Sequence, residues 1–288
     1  MFNKILLCTD ISPASEVLVQ CAGEMKSLGL EEVILAHIIH VTHTPGLEGG
    51  LAREARPYVE HQKEVLERQG IKVSIEMPLG IPAPALNDLA EKHEVSAIII
   101  GSHGKGVSAS ITLGSVSSKL LQITQWPVLL IRTKLLKDEG ECLRECRNLF
   151  AHVLYPTDFS DTAERAFTYL ETVVSALKCQ VTLMCVRAQA EVAPHPAQRL
   201  EELRRLDSAR LERMKIRLKT LGAAQVTIEL PVGTAGEEIV ERARAKDCSL
   251  ILMGTRGKGL VREIVLGSVA HHVARHAEQP VLFVPPLR

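Results

Sequence analysis

One internal repeat constrains this chain more than any other feature. Residues 98–102, Ile-Ile-Ile-Gly-Ser, return within 250–255 as Leu-Ile-Leu-Met-Gly-Thr. Gly114-Ser115-Val116 returns as Gly267-Ser268-Val269, Pro127-Val128-Leu129 as Pro280-Val281-Leu282, and Pro78-Leu79-Gly80 as Pro231-Val232-Gly233. All four pairs share a spacing of 153 residues. Nearer the start of each half the spacing is 148, for Thr9-Asp10 with Thr157-Asp158 and for His37-Ile38 with Cys185-Val186. One spacing kept over that many short matches is the mark of a duplicated unit. The 288 residues therefore divide into a first domain at 1–135, a charged linker at 136–148 and a second domain at 149–288.

Within each half, short apolar runs alternate with segments of helical spacing. Strands are predicted at 4–8, 33–39, 72–77, 97–100 and 128–131, and again at 152–155, 180–186, 225–230, 250–253 and 281–284. Helices are predicted between them, the longest at 51–69 and 196–221. Five strands alternating with helices imply an α/β fold, a doubly wound parallel sheet present in two tandem copies. Such a sheet binds ligands beyond the carboxyl ends of its strands, at the point where strand order reverses.

Composition supports this reading and removes others. Apolar residues make up 46% of the chain but aromatics only 3%, so the core is aliphatic, as buried parallel strands require. Base-stacking platforms need more aromatic side chains. The 34 basic and 34 acidic residues cancel, which argues against a strongly basic nucleic-acid binder while leaving room for a local patch. No apolar run reaches the length of a membrane span, and the apolar stretch at 1–7 is too short for a signal peptide. With no secretory signal, the seven scattered cysteines read as reduced thiols of a cytoplasmic protein.

After the fourth strand of each half stands G-x2-G-x9-G-S: Gly101, Gly104, Gly114 and Ser115 first, then Gly254, Gly257, Gly267 and Ser268. Glycines let backbone approach a ligand and adopt positive φ. Ser115 and Ser268 are placed to open helices, whose free N–H groups favour a phosphate. A Walker A loop is absent, and the G-x-G-x-x-A match at 104–109 follows the wrong strand for a dinucleotide fingerprint. After the first strand stand Asp10 and Asp158, which suit either a ribose or base contact or the cap of the following helix. Beside a phosphate loop the ligand role gains weight.

Thr-Asp-x-Ser after strand one, the long glycine motif after strand four and the closing Pro-Val-Leu strand together resemble the universal stress protein family, twice over. The resemblance implies two adenine nucleotide α-hydrolase-like domains that bind ATP or AMP. It places Asp10 with Ile38, and Asp158 with Val186, at the ribose and adenine end. Gly101, Gly104, Gly114, Ser115 and Val116, with Gly254, Gly257, Gly267, Ser268 and Val269, fall at the ribose and phosphates. It further implies pairing through the last strands, within the molecule or as a homodimer. The second loop carries Arg256, Lys258 and Arg262 where the first has His103, Lys105 and Ala109, so tighter ATP binding is expected in the second half.

Metal and enzyme signatures are weaker. Cys142 and Cys146 lack a second zinc pair, and His37, His40 and His43 are spaced so that a strand would alternate their faces. His272 and His276 share a helix face without H-E-x-x-H, so magnesium arriving with ATP is the more natural cation. No nucleophile elbow or nucleophile–base pair is visible. The leading expectation is a nucleotide-binding stress or signalling protein. Its alternatives are a slow ATP hydrolase or adenylyl/phosphoryl-transfer enzyme, and a nucleotide-free scaffold.

Overall fold

The computed structural model describes residues 2–40, 48–102, 113–132, 148–188, 197–258 and 266–287. The chain forms two compact units, Met1–Arg147 and Asn148–Arg288. The first runs β1 (Lys4–Cys8), α1 (Pro13–Glu24), a 3-10 turn at Met25–Leu28, β2 (Glu32–Ala36), α2 (Glu48–Arg68) and β3 (Lys72–Glu76). It continues through α3 (Pro82–Lys92), β4 (Ala97–Gly101), α4 (Ser115–Ile123) and β5 (Val128–Ile131). The second repeats the plan as β6 (His152–Pro156), α5 (Asp161–Leu177), β7 (Gln180–Met184), α6 (Ala197–Thr220) and β8 (Gln225–Glu229). It ends with α7 (Ala235–Ala245), β9 (Leu250–Gly254), α8 (Ser268–His276) and β10 (Val281–Val284).

The strand order is β3-β2-β1-β4-β5 in the first unit and β8-β7-β6-β9-β10 in the second. Every pairing within a unit is parallel. Right-handed crossovers that reverse direction after β3 and β8 put successive helix pairs on opposite faces of the sheet. Accordingly α1 packs on α2, α3 on α4, and α7 on α8. Strands covered on both faces must be apolar throughout, and all five residues of β4 are buried. In the second unit Tyr155 is fully buried. Its ring lies 5.5 Å from that of Phe167, and its hydroxyl donates to the Ala163 carbonyl at 2.6 Å. That contact fixes the first turn of α5 against β6, at the end of the sheet where a ligand would enter.

Two expectations change. The second strand ends at Ala36 rather than Ile39. Beyond β3 stands Pro78, which has no N–H to return; His37 and Ile39 still donate to the Glu76 and Pro78 carbonyls at 2.9 Å each, but the ladder loses one of its bonds before the bridge between Ile39 and Leu79. Cys21, expected to be a free thiol, is disulfide-bonded, whereas Cys8, Cys179, Cys185 and Cys248 are buried free thiols. Sequence spacing carries no information about which cysteines meet in space, so cysteine usage no longer argues for a compartment. Among the described residues no helix is long and apolar enough to cross a membrane. The linker at 136–148 lies, up to residue 147, outside the described residues, as do Cys142 and Cys146.

Candidate functional site

The switch point lies between β1 and β4 in the first unit and between β6 and β9 in the second. A cavity opens at each. The first, of about 650 Å³, is lined by Asp10, Ile38, Gly101, Gly114, Ser115 and Val116 among others. The second, of about 630 Å³, is lined by Asp158, Val186, Gly254, Gly257, Gly267, Ser268 and Val269. All seven candidates of the second half thus face one space. Six of the first half's seven do, and the seventh, Gly104, lies outside the described residues.

The loop is anchored identically in both units. Ser102 N–H donates to the Ile131 carbonyl at 2.8 Å, and Gly114 N–H to the Ser102 carbonyl at 2.8 Å. The counterparts are Thr255 to Val284 at 2.9 Å and Gly267 to Thr255 at 2.8 Å. These bonds deliver the N-termini of α4 and α8 to the cavities. Neither N-cap glycine has a side chain to satisfy the first-turn N–H groups, so those donors stay available to an anion.

None of the described motif glycines takes a positive φ, and two of them owe their places to close packing. Gly114 and Gly267 adopt φ of −58° and −60°. A Cβ on Gly254 would come within 2.9 Å of Thr162 Cγ2, and one on Gly257 within 2.6 Å of Asp158 Oδ2. The motif therefore serves the protein's own close approaches as well as any ligand's.

Positive φ appears instead in the turn after the first strand, at Ile11 (56°) and Phe159 (59°). A bulky residue held there is strained, and strain of this kind collects at functional sites. Neither aspartate is the helix cap. Ser12 and Ser160 are the N-caps, while Asp10 Oδ1 accepts from Ser12 N–H at 3.1 Å and Asp158 Oδ1 from Ser160 N–H at 3.0 Å. Asp10 Oδ1 also accepts the hydroxyls of Ser12 and Ser15. Asp158 Oδ2 accepts from Lys258 N–H at 2.9 Å, so this carboxylate ties strand β6 to the glycine loop.

The two sites differ in charge. Arg256 lines the second cavity, together with His271. The Lys258 ammonium lies 5.8 Å from the centre of the Phe159 ring, with the Arg210 guanidinium 5.1 Å from it. Arg262, His103, Lys105 and Ala109 fall outside the described residues. The first cavity instead gathers His37, His40 and Glu54. His37 donates from Nδ1 to the Thr9 carbonyl at 3.0 Å. Both histidines face one cavity because the strand has already ended, which removes the alternation expected of them; His43 lies outside the described residues. Burial pushes the Cys185 thiol up to about 11, so it is no thiolate nucleophile at neutral pH. Among the described residues no three metal-ligating side chains converge.

Sequence reasoning missed Pro82 and Leu86 in the first cavity, and Ala235 and Ile239 in the second. The repeated Pro78-Leu79-Gly80 and Pro231-Val232-Gly233 motifs pointed to them, because each motif leads directly into the helix that carries the pair.

The fold and its crevices define a tandem α/β protein with a ligand-sized cavity at each switch point. The Universal stress protein family model matches residues 1–132 and 150–285, and the chain belongs to that family. A universal stress protein of Methanocaldococcus jannaschii is 32% identical over 157 residues, covering 46% of this chain and 97% of its own. One from Mycolicibacterium smegmatis is 25% identical over 301 residues, covering 98% and 97%. The crystal structure of a universal stress protein from Archaeoglobus fulgidus superimposes with a TM-score of 0.78 at 24% identity, over 99% of both chains.

Proposed function

We propose that each unit is an adenine-nucleotide binding module, taking ATP or AMP in a stress-response or signalling role. The observation that carries this reading is the convergence of all seven second-half candidates on one cavity. Its volume of about 630 Å³ lies within the usual range of small-molecule sites, roughly 300–1,000 Å³. The uncapped N-terminus of α8 supplies donors for phosphate, and Arg256 supplies compensating charge. At the other end Val186 offers an aliphatic surface, as an aromatic-poor chain must if it is to hold adenine. Magnesium enters, on this reading, with the triphosphate, since the described residues form no cage of their own.

The test is to purify the protein, denature it and identify the released nucleotide by mass spectrometry. Retained ATP or AMP without turnover is the expected result. Rapid conversion of added ATP would assign an enzyme instead. An empty protein whose melting temperature ignores ATP and magnesium would assign a scaffold.

A further inference from the structure

The two cavities have almost the same volume, about 650 and 630 Å³, but not the same walls. The first is bounded on one side by the long helix α2, through Leu51, Glu54 and Ala55, and by Leu18 of α1. Ile39, just past the end of β2, lines it as well. Among the described residues, none from the matching helix α6 lines the second cavity. The first cavity therefore reaches a helix that the second does not.

The repeat shows what occupies the corresponding place. The two long helices end in the same way: Gly70 N–H donates to the Glu67 carbonyl at 2.8 Å, and Gly222 N–H to the Lys219 carbonyl at 3.0 Å. Counted back from those turns, Ala55 matches Asp207 and Leu51 matches Leu203. Ile39 matches Arg187, because each makes the single bridge beyond its strand, with Leu79 and with Val232. Ile39 and Ala55 are both apolar and buried. Their counterparts form the ion pair in which Arg187 Nη2 lies 2.6 Å from Asp207 Oδ2. Arginine and aspartate are longer than isoleucine and alanine, and they close in the second unit the room that the first leaves open.

The charge around this room is one-sided. No arginine or lysine stands among the described residues of the first lining, whereas Glu54 places a carboxylate beside the apolar wall. An acidic group would be repelled there, and an uncharged apolar one would gain from leaving water. Leu51 is 39% exposed, so the wall is reachable from solvent.

We infer that the first cavity takes a ligand bearing an uncharged apolar group, seated against Leu18, Ile39, Leu51 and Ala55, and that the second cavity excludes that group. This deepens the nucleotide reading and rests on it for what carries the group. Ile39 follows Ile38, at the end of the cavity that holds the base on that reading, so the group is a substituent on the base. The first unit then prefers a base-substituted nucleotide and the second the plain one.

The experiment titrates the full-length protein by calorimetry with ATP and with ATP carrying a benzyl group on its exocyclic amine. In parallel, benzyl alcohol alone is added to protein with labelled isoleucine methyl groups. One of the two sites should take the benzyl analogue about tenfold more tightly than ATP, as burial of most of a phenyl ring would give. The other site should gain nothing, and a carboxybenzyl analogue should lose the advantage beside Glu54. Benzyl alcohol should shift the Ile39 methyl signals. Ala55→Leu fills the room and should abolish the preference for the analogue over ATP. Arg187→Ile with Asp207→Ala should create that preference at the second site, a gain that no folding defect produces. An analogue that binds no better than ATP at either site, or better at both, would overturn the inference, as would a preference that survives Ala55→Leu. If ATP binds, the analogue shows no preference and Ile39 stays unmoved, the nucleotide reading stands and this inference falls. If neither nucleotide binds, but benzyl alcohol shifts Ile39 in the wild type and not in Ala55→Leu, the apolar subsite stands and the nucleotide reading falls.

Discussion

Asp158 and Lys258, one hundred residues apart in sequence, meet through a 2.9 Å hydrogen bond from the Lys258 backbone N–H to the Asp158 carboxylate. The other carboxylate oxygen holds Ser160 N–H at 3.0 Å. Asp158 therefore positions the glycine loop without any ligand, and a ligand that engaged this carboxylate would have to share or displace that bond. Asp158→Asn leaves one N–H facing an amide donor or a weaker acceptor. The expected cost is about 1–3 kcal/mol in urea unfolding, the usual penalty for an unmade bond to a charged group. Hydrogen exchange at the Lys258 amide should speed up in the variant. Unaltered exchange there would show that the loop holds its place without Asp158.

Much of this site was legible because the chain states it twice. The constant spacing located both glycine loops and both post-strand aspartates, and the second cavity gathers every residue so chosen. The reasons attached to those residues were less legible. Gly254 is small because Thr162 packs on it, and Gly257 because Asp158 does; both are tertiary approaches that no local pattern encodes. Likewise His37 and His40 share a cavity although their spacing would alternate them along a strand, because both lie beyond Ala36, where β2 ends. The bond at Cys21 depends on which distant segments meet, and a single sequence does not carry that.

His152 gives the second unit a dependence on pH. Burial is the leading cause that holds its pKa below the ordinary 6.5, and Nε2 is hydrogen-bonded to Thr182 Oγ1 at 2.9 Å. The fold favours the neutral ring, so the unfolded chain takes up the proton first. The stability it contributes is complete above pH 6.5 and is lost as pH falls from there through the folded value. Urea midpoints measured at falling pH should drop more steeply for the wild type than for His152→Gln. Parallel slopes would remove His152 from the account.

A buried ion pair stands next to Val186 in the lining of the second cavity. Asp207 is 2% exposed and accepts from Arg187 Nε at 2.7 Å, with Nη2 at 2.6 Å. Arg187 follows Val186, which lines the cavity. Removing one member of such a pair is far more damaging than replacing both, because the survivor is left charged in a dry site. Arg187→Ala should lower stability by about 3–5 kcal/mol, and Arg187→Met with Asp207→Leu should recover most of it. Chemical denaturation of the single and double variants measures both. Equal losses in the two would mean that Arg187 acts through its other contacts.

The two cavities should also differ in their response to a lost glycine. In the second, a Cβ on Gly257 meets Asp158 Oδ2 at 2.6 Å and Arg256 stands in the lining, so the loop, the carboxylate and the cation form one arrangement. Gly257→Ala forces the loop off the carboxylate and shifts the donors that a triphosphate would use. A displacement of about 1 Å is enough to cost roughly a hundredfold where positioning matters. Because the second loop holds the denser positive charge, its site should be the tighter of the two for ATP. Gly257→Ala should then remove the high-affinity phase of an ATP titration, whereas Gly104→Ala should leave that phase in place and remove only the weaker one. The same contrast should shrink for AMP, whose smaller charge draws less on Arg256. Equal losses of ATP affinity in the two variants would mean that the charge difference between the loops is solvated surface and sets no preference.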